Sequence, residues 1–361
     1  MEFRLPKPNY DFVRLVLSNP YAAVVAAPSD SEVDPSFVSC TGPYKFASTL
    51  YRPNKQLSLV RYEQYRWPPY DAKNQYSTNI HQLSFFFESD RDKRFKMLLK
   101  NQLCGLSINA EQAAVLSGNQ DFRLYQTNGG VTYLGYNFLK PRWQDVHLRK
   151  AISMSINKTA LAEQGPFVVA ETPLTRSATG YDSRAARFTQ PYDPEQARSM
   201  IIGMNTDLDA EIILLTPESN TYHDLSRMIA QNLKDVGFNN IRIREVARTD
   251  ISMQRLDFDL LLFDYAWGDY TALSIFLGTG PHNLLYYPEN DVASLIDGAL
   301  STPDLKQRKD MILEAQKIVL QDAIWNPLLV REIVLAINAR CVNGEQLSPF
   351  GELILHDAYT R

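Results

Sequence analysis

The sequence predicts an α/β protein with two lobes, and three observations support this. The chain has 361 residues, which is more than one ordinary hydrophobic core accommodates. Between residues 211 and 246 a strand, an amphipathic helix and a second strand follow one another. The chain shows no low-complexity linker, so we expect ordinary strands to join the lobes.

The strand, helix and strand between residues 211 and 246 have distinct patterns. EIILLT (211–216) is a short apolar run, and NIRIREV (240–246) alternates as a half-buried strand does. Gly237 lies where a helix over 221–236 would end and suits the position after its C-cap. One face of that helix carries the apolar residues Leu225, Met228, Ile229, Leu233 and Val236. The segment therefore predicts a βαβ unit of a parallel sheet.

Other elements follow from the same periodicities. Residues 57–62 and 83–87 predict strands, and residues 90–103 predict a helix that carries Phe95, Leu98, Leu99 and Leu103 at helical spacing. The continuous apolar middle of 258–265 predicts a strand covered on both faces.

Three further segments contain a proline. A helix is predicted over 303–322, with Thr302 as its cap and Pro303 in its first turn. Residues 327–337 predict a strand. The stretch 133–161 begins as a strand, breaks at Lys140-Pro141 and continues as a helix.

Composition excludes several classes of protein. Lys and Arg total 37 against 41 for Asp and Glu, a net charge of −4, which disfavours a nucleic-acid partner. No apolar run reaches the ~18 residues that span a bilayer. MEFRLPKPNYDF lacks the apolar region of a signal peptide, so either the protein stays in the cytosol or its true beginning is missing.

Cysteines, histidines and motifs give no sign of a cofactor or a reaction. Cys40, Cys104 and Cys341 are far apart without a CxxC pair; at most one bridge can form, and three buried thiols are the favoured interpretation. The five histidines show no HExxH spacing. GxSxG and P-loop motifs are also absent from the sequence. We therefore predict no metal, no cofactor and no enzyme.

Several runs occur in an order that resembles the family 5 extracellular solute-binding proteins, the oligopeptide, dipeptide and nickel receptors of ABC importers. The YNF-KP-W-D-V-LRKAIS-SIN pattern and the GPY turn are the most specific of them. The runs are GPYKF (42–46), NKQLSLVRYEQYRW (54–67), YLGYNFLKPRWQDVHLRKAISMSINKTAL (133–161), YDPEQARSMI (192–201), FDLLLFDYAWGDY (258–270), NDVASLIDGAL (290–300) and QRKDMILEAQKIVLQD (307–322).

Within that family, EFRLPKPNYDFVRLVLSNPYAAVVAA (2–27) and LSPFGEL (347–353) resemble the branch of periplasmic Sap components of antimicrobial-peptide transporters. The resemblance covers about the last two-thirds of the family pattern. It implies a periplasmic-binding-protein-like fold of type II, cluster C, with lobe I incomplete. Lobe I would comprise 1–127 plus 329–361, and lobe II 128–328. It also implies a periplasmic location, with the signal peptide lost together with the missing N-terminal part.

The resemblance implies that two lobes close on a peptide and that an acid holds its α-ammonium group. Asp269, in a W-x-x-D-Y-like patch, is the position that matches this acid. The spacing from Phe258-Asp259 to Asp269 is one residue longer than in the oligopeptide receptors, and Asp264 is therefore the reserve. An Asp269 that only caps a turn is the alternative.

Aromatic residues around this patch complete the predicted site. Trp267, Tyr265 and Tyr270 would form an apolar wall of the peptide pocket or part of the core. Tyr133, Tyr136 and Asn137 begin the second lobe, where hinge packing and backbone support are the favoured roles.

The implied partners are a peptide ligand and the membrane subunits of an ABC permease, and we expect a monomer. Two alternatives stay open. A cytoplasmic regulator could use the same fold to sense a metabolite, and its coding sequence would begin with a helix-turn-helix. A truncated remnant could bind nothing, because an exposed sheet edge promotes aggregation.

Overall fold

The structure is a computed structural model with a mixed α/β fold. It describes residues 2–17, 42–68, 72–73, 78–204, 206–253, 256–278, 280–288, 290–348 and 352–360. Cys40 lies outside these residues.

The strands in the described residues are short except for two that exceed ten residues. They are β1 (Tyr44–Phe46), β2 (Gln56–Arg61), β3 (Gln82–Phe86), β4 (Gly105–Ile108), β5 (Phe122–Tyr136), β6 (Phe167–Val169), β7 (Ile212–Pro217), β8 (Ile241–Val246), β9 (Leu260–Tyr265), β10 (Trp325–Asn338), β11 (Val342–Asn343), β12 (Gln346–Leu347), β13 (Leu353–Ile354) and β14 (Tyr359–Thr360).

The α-helices in the same residues are α1 (Arg91–Leu99), α2 (Ala110–Leu116), α3 (Val146–Ser155), α4 (Lys158–Ala162), α5 (Pro194–Gly203), α6 (Asn220–Asp235), α7 (Arg248–Met253), α8 (Ala272–Leu277), α9 (Asp291–Ser301) and α10 (Leu305–Gln321). Short 3₁₀ turns cover Ser48–Leu50, Pro141–Gln144 and Ser183–Phe188, and Phe12–Leu17 is a π-helical segment. None of the helices in the described ranges has the length and apolar character that a bilayer span requires.

The chain divides into two compact units. The large unit comprises Met1–Asp11 and Asn128–Glu332, and the small unit comprises Phe12–Thr127 and Ile333–Arg361. Strands β5 and β10 each run from one unit into the other, so ordinary strands connect them. The sequence analysis assigned the first eleven residues to the other lobe. They group with the large unit, where the Asp11 carboxylate accepts hydrogen bonds from Arg308 Nη1 (3.0 Å) and the Tyr270 hydroxyl (2.5 Å).

The large unit is organised around a sheet in which β5, β9, β7 and β8 follow one another. Strand β9 is antiparallel to β5 and parallel to β7, and β7 is parallel to β8. Helix α6 packs on β7 and β8, which confirms the predicted βαβ unit. Gly237 has a φ of +117° and ends this helix, as expected, because glycine adopts such a φ without a Cβ clash.

The start of α10 differs from the prediction. Asp304 is the N-cap, and its carboxylate accepts the Gln307 backbone N–H at 2.8 Å. Thr302 instead follows α9, and its hydroxyl donates to the Gly298 carbonyl at 2.7 Å. Pro303 therefore precedes the cap. Aspartate and threonine both make good caps, and sequence alone did not distinguish two candidates so close together.

The small unit contains a three-stranded antiparallel sheet of β1, β2 and β3, and β4 pairs with residues 334–337 of β10. Helix α1 ends at Leu99, earlier than predicted. Of the apolar residues at helical spacing, Leu98 is fully buried, whereas Leu99 is 43% exposed. Phe85, Phe86 and Phe87 at the end of β3 are each about half exposed.

A disulfide joins Cys104 and Cys341 in the small unit, with Cα atoms 5.3 Å apart. The interpretation of these two residues as free thiols was therefore wrong. Cys104 immediately precedes β4, and the pairing of Gly105 with Ile337 brings it to the turn after β10. The two cysteines are separated by 237 positions in sequence, and only tertiary folding brings them together.

Replacing Cys104 and Cys341 together by Ala should destabilise the small unit by about 2 kcal/mol, the low end of the usual range. The closed segment contains most of the large unit, which is itself compact and leaves less chain entropy to restrict. Hydrogen exchange in β4 should speed up, while exchange in β7 should not change. Equal acceleration in both strands, or none in β4, would contradict this expectation.

Candidate functional site

Asp269 lies between β9 and α8 in the large unit and is 6% exposed. Its Oδ1 accepts hydrogen bonds from the Thr271 backbone N–H (2.8 Å) and the Thr271 hydroxyl. Its backbone pairs with Thr179 in an isolated parallel bridge. No described residue donates a hydrogen bond to Oδ2. One carboxylate oxygen therefore fixes the local turn, and the other remains available.

The aromatic residues of the patch have different surroundings. Trp267 is partly exposed, and its Nε1–H donates to the Thr271 hydroxyl at 2.9 Å. Tyr265 is 7% exposed, and its hydroxyl donates to the Pro173 carbonyl. Tyr270 is 1% exposed and binds Asp11. Trp267 is thus the most accessible of the three rings.

Burial raises the pKa of both tyrosines. The pKa of Tyr265 lies well above its usual value because the hydroxyl is desolvated, with a smaller effect from Tyr133. The pKa of Tyr270 is raised by burial and then by its hydrogen bond to the Asp11 carboxylate. Both hydroxyls stay protonated at neutral pH and act as hydrogen-bond donors.

Asp264, the reserve residue, already has a cationic partner. Its Oδ1 accepts hydrogen bonds from Arg248 Nη2 and from the Tyr222 hydroxyl. Burial, followed by the charge of Asp264, raises the pKa of Tyr222. The Arg248 guanidinium compensates the Asp264 charge within the large unit itself.

The three residues predicted at the start of the second lobe are buried. Tyr133 packs edge-on against Phe263, Tyr265 and Trp325, with its ring centroid 4.5 Å from that of Trp325. The Tyr136 hydroxyl donates to the Arg149 carbonyl at 3.1 Å. Asn137 donates from Nδ2 to the Phe258 carbonyl at 2.9 Å and accepts the Leu139 backbone N–H. These contacts fit packing and backbone support.

The structure shows a charged cluster around Asp259 that the sequence analysis did not assign. Asp259 is 2% exposed, and its carboxylate accepts several hydrogen bonds. They are Lys140 Nζ (3.0 Å), Arg142 Nη2, Trp143 Nε1 (3.1 Å) and the Ile213 backbone N–H (3.0 Å). The signal available in the sequence was a single aspartate in the otherwise apolar run FDLLLF (258–263), directly before β9. Through these hydrogen bonds the cluster connects the Pro141–Gln144 turn to β7 and β9.

Metal-ligating side chains do not gather in the described part of the chain. No group of three or more His, Cys, Asp or Glu residues there has the proximity that a metal site needs.

The fold is that of the type II periplasmic binding proteins. The oligopeptide-binding protein AppA of Bacillus subtilis, solved with a nonapeptide, aligns with a TM-score of 0.75 and 15% identity over 99% of this chain and 76% of that one. NikA of Staphylococcus aureus, solved with Ni(L-His)₂, aligns with a TM-score of 0.74 and 18% identity over the same shares. At such identities these structures show the fold alone.

The sequence profile described as "Bacterial extracellular solute-binding proteins, family 5 Middle" matches residues 1–282. The chain therefore belongs to the family 5 extracellular solute-binding proteins, as the sequence motifs indicated. It is 26% identical over 368 aligned positions to the peptide transport periplasmic protein SapA of Haemophilus influenzae. That alignment covers 96% of this chain and 62% of SapA, so the chain spans about three-fifths of the length of this relative.

Proposed function

We propose that this chain is the substrate-binding component of an ABC importer that captures peptides in the periplasm and delivers them to a membrane permease. Its family supports the solute-binding part of this proposal. A peptide ligand is supported by the name of SapA, a peptide transport protein, and by AppA, which was solved with a nonapeptide. The name of SapA also supports the periplasmic location. In this role the chain carries out no catalysis and works as a monomer.

The Asp269 carboxylate is the observation that carries the peptide assignment. Its Oδ2 has no hydrogen-bond donor among the described residues, and its surroundings are largely desolvated. A peptide α-ammonium would supply three donors and the opposite charge. A charge-assisted hydrogen bond in such a place is stronger than one in water. We therefore propose that Asp269 Oδ2 binds the peptide N-terminus.

The rings beside Asp269 suit the first side chain of a peptide. Trp267 is held by Thr271, the same residue that binds Asp269 Oδ1, so the indole and the carboxylate are positioned together. Its partly exposed ring offers contact area at a low entropy cost. Tyr265 and Tyr270 support this arrangement from the interior, and we propose the supporting role for them.

Asp264 is less suited to bind an ammonium group. Arg248 already neutralises it, and a second cation would meet the guanidinium. We propose that Asp264 orients Tyr222 and Arg248, and that Tyr133, Tyr136 and Asn137 position the strands around the site.

Native mass spectrometry with a random tripeptide mixture tests the ligand class. We expect the purified protein to retain masses that correspond to tripeptides and to lose them on N-acetylation of the mixture. Retention of nickel complexes in place of tripeptides would contradict the peptide proposal.

Asp269→Asn tests the role of the carboxylate in trialanine binding. The amide oxygen can still accept from Thr271, so the turn should persist. Trialanine should bind at least about 30-fold more weakly, which corresponds to about 2 kcal/mol. Isothermal titration calorimetry measures both affinities.

The exposed Asp310 on α10 provides the matched control. Asp310→Asn should leave trialanine affinity within about threefold, since exposed charges contribute little. N-acetyl-trialanine lacks the ammonium group, so Asp269→Asn should change its weaker binding far less. Equal losses for trialanine and its acetylated form would exclude the ammonium role.

A further inference from the structure

Lys158 occupies an unusual environment in the large unit. It is the first residue of α4, and Asn157 caps that helix by accepting the Ala160 backbone N–H. The Lys158 ammonium nitrogen is buried and has no hydrogen-bond partner among the described residues. The residue also lines a cavity of about 300 Å³ formed within the large unit. Lys158 thus borders an open volume, while its ammonium nitrogen is shielded from solvent.

An unpaired buried ammonium group destabilises a folded protein, because water solvates the charge better than the interior does. Burial lowers the pKa of Lys158 to about 8, and the charge of Glu171 opposes this effect only partly. The group is still mostly protonated at neutral pH. Such a charge is compensated when an anion binds next to it.

The walls of the cavity indicate what kind of anion fits. Val169 and Ala186 give it apolar surface, and the hydroxyl-bearing Thr159 follows Lys158 in sequence. The volume is at the lower end of the range for small-molecule pockets, so the ligand is small. An aliphatic body would contact the apolar side, and its charged end would face the lysine.

The charge of the site favours a single negative charge on the ligand. The titratable residues that line the cavity are Lys158, Glu171 and Tyr192. Glu171 offsets part of the positive charge and would repel a dianion such as hydrogen phosphate. The single positive charge of one ammonium group is balanced by the single negative charge of one carboxylate.

We propose that this cavity is a binding site for a small monocarboxylate, with the Lys158 ammonium as its counter-ion. Lys158 lines the cavity, and rotation about its flexible four-carbon chain would bring the ammonium group to a ligand there. None of the residues proposed for peptide binding contributes to the cavity, so this second site is independent of the proposed function.

The titration of Lys158 itself tests the proposal. Protein labelled with ¹³C at lysine Cε gives one signal per lysine, and Lys158→Met identifies the signal of Lys158. Sodium propionate, up to about 50 mM at constant ionic strength, exceeds the millimolar Kd expected for so small a ligand. It should raise the proton affinity of Lys158 at least about tenfold, because the carboxylate binds the charged form.

Comparison ligands show which chemical group the cavity recognises. Propionamide, which is isosteric and neutral, should leave the Lys158 titration unchanged. Inorganic phosphate should also have no effect. N-acetylalanine carries the carboxyl end of a peptide; a larger shift than with propionate would identify a peptide end as the source, and a smaller one a free acid.

The exposed Lys309 on α10 serves as the internal control, and its signal should not respond to propionate. Three outcomes would overturn the proposal: an unchanged Lys158 titration, an equal response of Lys309, or an equal response to phosphate or propionamide. The first would mean that solvent alone satisfies the ammonium group. The titrations use the wild-type chain, and the Lys158→Met variant serves only to assign the signal.

Discussion

Asp259→Asn should lower the free energy of unfolding of the large unit by about 3 kcal/mol at pH 7, because it removes the buried charge on which the Lys140, Arg142, Trp143 and Ile213 donors converge. Lys140 and Arg142 both form ion pairs with this carboxylate, which is almost fully buried. Chemical denaturation followed by tryptophan fluorescence measures the change, since Trp143 donates to the same carboxylate.

An asparagine cannot replace this aspartate, although the two have the same shape. Oδ1 accepts from Arg142 and Trp143, while Oδ2 accepts from Lys140 and the Ile213 backbone. Either orientation of the amide would therefore turn its NH₂ group toward two donors. The variant loses the charge and also gains a repulsive contact.

Asp257 provides a matched control on the same lysine. Its carboxylate lies 3.0 Å from Lys140 Nζ, as that of Asp259 does, but its side chain is 67% exposed. Asp257→Asn should cost less than about 1 kcal/mol. Similar losses for the two variants would show that burial does not give Asp259 its importance.

The effect of Asp259 should also depend on pH. Desolvation raises its pKa, but the hydrogen bonds from Arg142, Ile213 and Lys140 outweigh that effect, and the pKa is lowered. Its contribution is therefore complete above about pH 4, the ordinary aspartate pKa, and is lost as pH falls through the lower folded-state pKa. The stability difference between wild type and Asp259→Asn should narrow at acid pH.

Lys158→Met should stabilise the unliganded protein at pH 7 by up to about 3 kcal/mol. It is the second substitution for which we expect a large change in stability. The pKa of Lys158 falls from 10.5 to about 8 on folding because the ammonium group is buried. That difference corresponds to about 3 kcal/mol of unfavourable charge burial. Methionine has a similar length and no charge to desolvate.

The gain from Lys158→Met should decrease as the pH is raised. The penalty is fully present below pH 8, where folded and unfolded states both carry the proton, and disappears as pH rises to 10.5. Thermal unfolding of both proteins from pH 7 to 10.5 measures this. Lys309→Met should change stability by no more than about 0.5 kcal/mol. A variant less stable than wild type at pH 7 would refute the assignment of an unpaired charge.

The sequence predicted the elements whose signals are local. Three signals lie within one stretch of about 40 residues: the alternation in β8, the apolar stripe of α6 and the glycine after that helix. Each of them indicates the βαβ unit. The family motifs likewise indicated the fold that the comparisons show. Local periodicity and motif order were sufficient to predict these elements and the fold.

Features that depend on distant residues could not be predicted in the same way. The disulfide joins cysteines 237 positions apart, and the Asp259 cluster combines three separate segments of the chain. The cavity beside Lys158 is lined by residues of β6 and of the Ser183–Phe188 turn, which are not neighbours in sequence. Hydrophobic patterns do not encode such contacts. For the candidate site, the sequence indicated Asp269 but not the contact with Thr271 that leaves one oxygen available.

The contact between Asp11 and Arg308 has a practical consequence for protein production. Asp11 is the last residue of the segment 1–11, and its carboxylate is the acidic partner of a guanidinium that is only 10% exposed. Residues 1–11 must therefore be retained when the protein is produced. A protease that trims the chain to Phe12 would remove the counter-charge of Arg308 and the acceptor of Tyr270 in a single cut.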